Sequence, residues 1–472
     1  MSGLSGVVEK VMCGLKMANS WTDATCVIMI TLIGGIPAWI IAQVMIARYF
    51  GIVYVPLLTL AIYLYYDWVH LNTPPANTTD FIEFKNNKLQ ARWGKRKVPM
   101  HMLVSWFLND EIAFKGDCLE VLQKHREEFV DWRPNWDLYM FLIKQALPAT
   151  SSSIKTIDAT TKEIEEHYDR GNDFFAAFLG PKMIYTSAFY HGLHQSLEDA
   201  QDNKLNMLCE KLHMKEGAKF LDIGCGWGTL VRWAAKHFNA KATGVTLSKE
   251  GTKWCREMAE KDGVADKVEI LNCDYRDIPA DRKFDCISAV EMAEHVGIAN
   301  FQLFLKNVSS MLDDNGLFYM QVAGLRKGSN WQDTQWGLFM SRYIFPGADA
   351  STPLYWYIEQ LEMAGFEVHS VETVGRHYSW TLKAWYDNWM TNRTKPELKK
   401  YAELDMPEFN ISAKGSLSRL WEIFLAWSVI AAGQGSATCY QIVAHKNRYD
   451  FPRDNFCSKE IQEKRKKTGS SL

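Results

Sequence analysis

The chain has 472 residues, 47% hydrophobic and 23% charged, which is the composition of a folded protein with a large core and room for more than one domain. Its 53 basic and 55 acidic residues leave a net charge of -2, so there is no global field to gather nucleic acid and no such partner is expected. The 10 cysteines form no Cys-x-x-Cys pair and no Cys/His cluster, which suggests neither a metal site nor a disulfide framework. Free thiols in a reducing compartment fit best, with Cys225 and Cys286 as small buried hydrophobes.

Residues 1–25 read as a cytosolic amino terminus. The stretches 26–47 and 49–66 carry no charge and are separated by Arg48. Each is near the roughly 20 residues that a helix needs to cross hydrocarbon, so 26–66 is expected to form a transmembrane hairpin, fully spanning or re-entrant. Pro37 and Pro56 are tolerated there when neighbours satisfy the freed carbonyls. Lys85, Lys88, Arg92, Lys95, Arg96 and Lys97 follow the hairpin. The positive-inside rule then places both termini in the cytosol. The expected location is an endomembrane, the endoplasmic reticulum, with two helices in the bilayer and the remaining chain facing the cytosol. Residues 67–160 read as a linker and a mostly helical connecting region, and 447–472 as a basic tail.

From Lys219, β-rich runs alternate with helical ones: KFLDI, a helix over 228–238, AKATGVTL, a helix over 249–261, KVEIL, FDCISAV, a helix over 300–312, and GLFYMQVA. Such alternation predicts an α/β doubly wound sheet, whose ligands bind at the carboxyl ends of its strands. The first strand runs into LDIGCGWGTL, where Gly224, Gly226 and Gly228 let the backbone turn sharply and approach a ligand. A dinucleotide fingerprint would need a glycine where Thr229 stands and an acid after the second strand, and neither is present. With Asp222 before the glycines, the turn fits an S-adenosylmethionine site of a class I (Rossmann-like) methyltransferase. Asp274, after the third strand, is placed to accept from an adenine amino group, and Tyr275 to cover the ring. Residues 324–365 are too long for a simple loop and read as an inserted helical lid. SATCYQIVAHK is expected to complete the final strand pair.

The ordered motifs HYDRGNDFF, IYTSAFY, LDIGCGWGTL, GVTLSKEG, CDYRD, EMAEHVG, YIFPGA and HYSWTLKAWYDNW resemble the cyclopropane fatty-acyl-phospholipid synthase family over residues 160–445. The hairpin, AGLRK and YIFPGADASTPL further resemble the eukaryotic sphingolipid C-9 methyltransferases within it. The resemblance implies a methyltransferase domain over 161–446 that moves a methyl group from S-adenosylmethionine to C-9 of the 4,8-sphingadienine base of a membrane ceramide. The alternative is cyclopropane formation on unsaturated phospholipid acyl chains. A headgroup N-methyltransferase is disfavoured by the HYDRGNDFF and TSAFY segments, and a binding protein on the same scaffold would be the non-enzymatic rival.

Matched motif by motif, the cofactor would be held by Tyr185 and Thr186, by Asp222, Gly224, Cys225, Gly226, Trp227 and Gly228, by Thr246, Leu247, Ser248, Lys249, Glu250 and Gly251, and by Asp274 and Tyr275. Bacterial relatives hold a bicarbonate ion with a cysteine, a glutamate, a histidine and a tyrosine. The matching positions here are Ser187, Glu294, Gln321 and Tyr378, two kept and two changed, which puts bicarbonate in doubt.

Methylating an alkene leaves a carbocation, so the site must align the reactants, exclude water and stabilise positive charge. Tyr168, Tyr185, Phe189, Tyr190, Tyr378 and Trp380 lie in motifs near the expected site and offer aromatic faces, worth on the order of 0.5–2 kcal/mol each. Phe174, Phe175 and Phe178 read as core. The position of the lost proton decides between a ring and a methyl-branched alkene. Glu294 is expected as the base, with His295 beside it at the alkene. Glu291 is expected to support the turn or to reach the cofactor's amino-acid end.

Overall fold

The computed structural model describes residues 60–61, 74–133 and 171–456, apart from 280, 329, 346–351 and 410. The hairpin expected over 26–66 lies outside the described residues except for Leu60 and Ala61, as do residues 1–25 and the tail beyond Phe456. No described helix is long and apolar enough to cross a membrane.

Residues 74–133 form a small α/β unit. In chain order it comprises β1 (Ile82–Phe84), α1 (Asn87–Trp93), β2 (Val98–Pro99), α2 (Met100–Leu108), β3 (Ile112–Phe114), α3 (Cys118–Phe129) and β4 (Val130–Asp131). β1 pairs antiparallel with β3, and β2 parallel with β4. Asn86 and Asp117 cap α1 and α3 by accepting from Lys88 N and Glu120 N, which satisfies orphan donors of the first turn. Of the region 67–160 expected as a linker with helices, residues 74–133 thus form a folded unit with strands of its own, and 67–73 and 134–160 lie outside the described residues.

The larger unit opens with α4 (Asn172–Leu179) and α5 (Leu197–Lys211), then alternates: β5 (Lys219–Ile223), α6 (Thr229–His237), β6 (Lys241–Val245), α7 (Lys249–Asp262), β7 (Val268–Leu271), β8 (Phe284–Val290), α8 (Phe301–Met311) and β9 (Leu312–Leu325). It continues through α9 (Trp331–Phe339), α10 (Leu354–Met363), β10 (Phe366–Thr373), α11 (Gly375–Asn392), α12 (Ser416–Gly433) and β11 (Ala437–Lys446). The seven-stranded sheet has the order β10-β11-β9-β8-β5-β6-β7. β11 runs antiparallel between β9 and β10, as the expected final strand pair. β5 pairs parallel with both β6 and β8, so the winding direction reverses there and leaves a crevice at the strands' carboxyl ends.

Alternation along each strand feeds two apolar layers. Phe220 faces Leu205, Leu208, Val231 and Cys255 of α5, α6 and α7, whereas Leu221 and Ile223 face the layer of α8 and α10. A third core gathers the 74–133 unit with α4, α9, α11 and α12. Phe174 is its hub, with ring centroids 4.8 Å from Trp421, 5.0 Å from Tyr401 and 5.4 Å from Trp389. Phe174, Phe175 and Phe178 are buried, as the sequence led us to expect.

The stretch read as one lid divides in two. α9, followed by a π-helical turn (Met340–Ile344), joins the third core through Trp336 and Phe339. α10 instead packs on the sheet: Trp356 lies 4.9 Å from Phe301, and Gln302 donates to the Gln360 carbonyl. Its apolar face is therefore part of the layer beneath the sheet. The described cysteines are free, and Cys225 and Cys286 are buried. No group of His, Cys, Asp and Glu among the described residues is arranged to hold a metal.

Candidate active site

A cleft of about 1380 Å3, a volume that includes its opening to solvent, lies at the crevice where β5 and β8 end. Its floor is the glycine turn. Gly226 has φ +55 and no atom within 4 Å of where a Cβ would stand, so the backbone itself faces the open space. At Gly228 (φ +73) a Cβ would meet Cys255 Sγ at 2.0 Å, so the turn packs directly on α7. The first turns of α6 and α7 flank this floor, and the positive end of each helix dipole favours a carboxylate nearby. Ser248 caps α7 by accepting from Gly251 N at 3.0 Å.

Most residues expected at the cofactor line this cleft: Tyr185, Thr186, Asp222, Gly224, Cys225, Gly226, Trp227, Thr246, Leu247, Ser248, Gly251, Asp274 and Tyr275. Lys249 and Glu250 do not; they are exposed on the first turn of α7. Gly228 shapes the turn from behind. Trp227 Nε1 donates to Asn172 Oδ1 at 2.7 Å, which ties the GNDFF segment to the floor. Asn272 Nδ2 donates to the Thr246 and Leu247 carbonyls and holds that wall. Asp274 is gripped by its neighbour: Arg276 donates from Nε and Nη2 to its two oxygens, each at 2.8 Å. A carboxylate has further lone pairs, so acceptance from an adenine amino group stays open to it.

Asp222 accepts from Ser288 Oγ at 2.6 Å, and burial pushes its carboxyl up to about 7 against the pull of that bond and of Lys204. Lys204 was not singled out in the sequence. It is buried at the cleft wall, donates to Thr186 Oγ1 at 3.1 Å, and burial lowers its ammonium while Glu291 and Asp222 oppose the shift. A lone lysine within an amphipathic helix carries no motif, so its inward orientation was not legible.

The EMAEHVG segment follows β8. Glu291 adopts φ +50, a left-handed conformation that costs a non-glycine residue energy, and its side chain forms part of the cleft wall. Its Oε1 accepts from Ser187 N at 2.9 Å and Gln321 Nε2 at 2.7 Å, and Cys439 Sγ lies 3.6 Å away. The Tyr378 hydroxyl also bonds to it. Burial raises this carboxyl, and the bonds from Ser187, Gln321 and Tyr378 and the charge of Lys204 pull it back. Gln321 is fixed in turn, its Oε1 accepting from Tyr319 at 2.8 Å and Gln441 at 3.2 Å.

Glu294 is differently placed. It is buried in the short turn Ala293–His295, its Oε1 accepts from Ala323 N, and it does not line the cleft. Burial, and then the neighbouring Glu291, push its carboxyl up to about 8, so it is neutral at pH 7. His295 does line the cleft, with its ring 6.0 Å from Phe345. Ser187, Gln321 and Tyr378, matched in the sequence to bicarbonate-holding positions, converge on Glu291. These residues do not fit a bicarbonate ion: the donors that would hold one already serve the chain's own carboxylate, and a second anion would face Glu291 with Glu294 close behind.

α11 orders the segment that follows Thr186. Thr381 Oγ1 accepts from Ala188 N at 3.0 Å and His377 Nδ1 from Tyr190 N at 3.0 Å, so HYSWTLKAW fixes the SAFY backbone. Tyr185 lies between Phe178 and Trp385, with centroids 5.5 Å from each. Phe189 stacks on His377 at 4.3 Å, and Trp380 meets Tyr190 edge-on at 5.7 Å. Tyr168 lies outside the described residues.

Comparison with known proteins places this architecture. Residues 155–440 match the family model for mycolic acid cyclopropane synthetase. Sphingolipid C9-methyltransferase 2 of Gibberella zeae is 43% identical over 379 residues, spanning 79% of this chain and 70% of that protein. Sphingolipid C9-methyltransferase of Komagataella phaffii is 41% identical over 398 residues, 82% of this chain and 78% of that one. Among solved structures, mycolic acid cyclopropane synthase CmaA1 complexed with SAH and CTAB superposes with a TM-score of 0.54 at 21% identity, over 61% of this chain and 98% of that one. Coclaurine N-methyltransferase gives 0.52 at 16% identity, over 73% and 98%, which extends the shared fold across class I methyltransferases. The chain therefore belongs to the mycolic acid cyclopropane synthetase family of methyltransferases, together with the sphingolipid C9-methyltransferases.

Proposed function

We propose that the protein transfers a methyl group from S-adenosylmethionine to C-9 of the sphingoid base of a ceramide-type sphingolipid. The observation that carries this reading is a single cleft in which a glycine turn meets a buried carboxylate beneath aromatic residues. The names of the most similar relatives supply the substrate class. S-adenosylmethionine, when bound, contributes an electrophilic methyl group on a sulfonium.

The chain's residues do the rest. The N-terminal turns of α6 and α7 and the buried Lys204 suit the cofactor's amino-acid end, and Asp274 with Tyr275 its base. Tyr185, backed by Phe345 and Trp385, offers a ring face at the cleft that excludes water while positive charge sits on the lipid.

The competing reading is cyclopropane formation on phospholipid acyl chains, which adds the same mass. Proton NMR of lipids from cells with and without the gene separates them. A gene-dependent vinylic methyl signal in the ceramide fraction is expected; upfield cyclopropyl signals on phospholipids would sink the sphingolipid reading.

We also propose that residues 26–66 anchor the enzyme in the endoplasmic reticulum membrane with the catalytic unit facing the cytosol, the support being their two uncharged stretches and the basic residues that follow. The full chain should stay with membranes through carbonate extraction. Its release into the soluble fraction would overturn the anchor.

A further inference from the structure

We propose that Glu291, and not Glu294, is the base that removes the proton from the methylated lipid; the proposal rests on the lipid-alkene reading above. A base must reach the substrate, be ionised when the cation forms, and be held still. Three carboxylates line the cleft among the described residues: Asp222, Asp274 and Glu291. Asp274 is clasped on both oxygens by Arg276, and Asp222 lies at the glycine turn under Ser288. Glu291 is the one of the three on which Ser187 and Tyr378 converge.

Its preparation is elaborate for a structural group. Its backbone is held left-handed where glycine would cost less, and such strain persists only where the surroundings impose it. Four groups from four segments address its carboxylate: Ser187 before α5, Gln321 on β9, Tyr378 on α11 and Cys439 on β11. Glu294 lies close enough that the two carboxyls cannot both ionise cheaply, and it is Glu294, bonded to Ala323 N away from the cleft, that stays neutral. Burial raises both carboxyls; Ser187, Gln321, Tyr378 and Lys204 pull Glu291 back toward the ionised form, whereas the charge of Glu291 pushes Glu294 further up.

The step balances. The alkene π pair forms the new bond from C-9 to the methyl carbon, while the carbon–sulfur pair stays on sulfur as a neutral thioether. Positive charge moves to the carbon next to C-9. The C-9–H pair then forms the new double bond, and the proton passes to the Glu291 carboxylate, leaving a neutral acid and a methyl-branched alkene. The titratable groups facing Glu291 are Lys204, Glu294, Tyr319, Tyr378 and Cys439. Of these only Lys204 carries positive charge, and it favours the ionised form; activity should fall as pH drops through Glu291's raised titration.

The test uses the full chain in detergent, methyl-labelled S-adenosylmethionine, and a lipid extract from cells lacking the gene as acceptor. Glu291→Gln keeps an acceptor oxygen for Ser187 and Gln321. It is expected to lose turnover by about 100-fold or more, the scale of a missing general base, while binding the cofactor within about threefold of wild type by calorimetry. Glu291→Asp should restore part of the rate, and Glu294→Gln should stay within about tenfold of wild type. Turnover of Glu291→Gln within about threefold of wild type would overturn the proposal, as would loss of its cofactor binding. The wild-type product structure judges the sphingolipid reading separately, because the variants are compared by label transferred to whichever lipid the wild type methylates.

Discussion

Glu294 makes a stability prediction independent of catalysis. Unfolded, its carboxyl releases a proton near 4.5; folded, burial and Glu291 hold that proton to about 8. Between those values the folded chain binds the extra proton, so this group's contribution is fully present below pH 4.5 and declines as pH rises toward 8. A tenfold difference in proton affinity between the folded and unfolded chain is worth about 1.4 kcal/mol, which makes the loss a few kcal/mol at most. Glu294→Gln keeps an acceptor for Ala323 N and removes the ionisation. Its melting temperature should therefore exceed that of wild type above pH 7, with the difference closing near pH 5. A constant difference across that range, measured by thermal melts in matched buffers, would show that Glu294 does not titrate there. At this scale the sequence was partly legible. The glycine turn and the cluster Glu291, Glu294 and His295 were marked by motif, but which glutamate meets the cleft depends on one left-handed residue after β8, and no spacing reveals a φ value.

Elements with a period were legible and those without one were not. β5 to β8 and α6 to α8 fall within a residue or two of the runs that alternate in the sequence, because half-buried strands and amphipathic helices carry their burial as a pattern, while β9 begins at Leu312, ahead of its run. α12 went unread: nearly every residue from Ser416 to Ala432 is buried or half-buried, so SLSRLWEIFLAWSVIAAG shows no polar face. Its charges are each answered locally. Glu422 pairs with Arg393, and Arg419 donates to the Leu108 carbonyl at 2.9 Å. α10 was assigned to the lid because 324–365 was read by its length, which does not show that Trp356, Tyr357 and Leu361 turn inward to the layer of α8. The weight of α12 is measurable. Trp421 is fully buried against Phe174, and Trp421→Ala should destabilise by about 3–5 kcal/mol in chemical denaturation. A cost below about 1 kcal/mol would mean that the third core repacks freely.

Across the whole molecule, the small unit 74–133 is a wall of the enzyme. Tyr386 of α11 donates to Asp117 Oδ2 at 2.7 Å, Gln335 of α9 donates to the Trp132 carbonyl at 2.8 Å, and Trp132 lies 6.0 Å from Trp427 of α12. Without this unit, α12 and the inner side of α11 would present a broad apolar face to water, which soluble chains rarely tolerate. A chain beginning at residue 171 is therefore expected to aggregate, measured by size-exclusion chromatography, and to bind no cofactor. Recovery of a monomer that binds S-adenosylmethionine would show that the sheet stands alone. The placement of β11 has a further consequence, in the order of events during synthesis. The glycine floor is complete once β5 and β6 have formed, but Cys439 and Gln441, which close the far side of the Glu291 ring directly and through Gln321, arrive only with the last strand. A nascent chain thus acquires its glycine floor, after β6 ends at Val245, well before Ala437 opens the strand that completes the surroundings of Glu291, and a polypeptide interrupted in between is expected to be chemically silent toward the lipids around it.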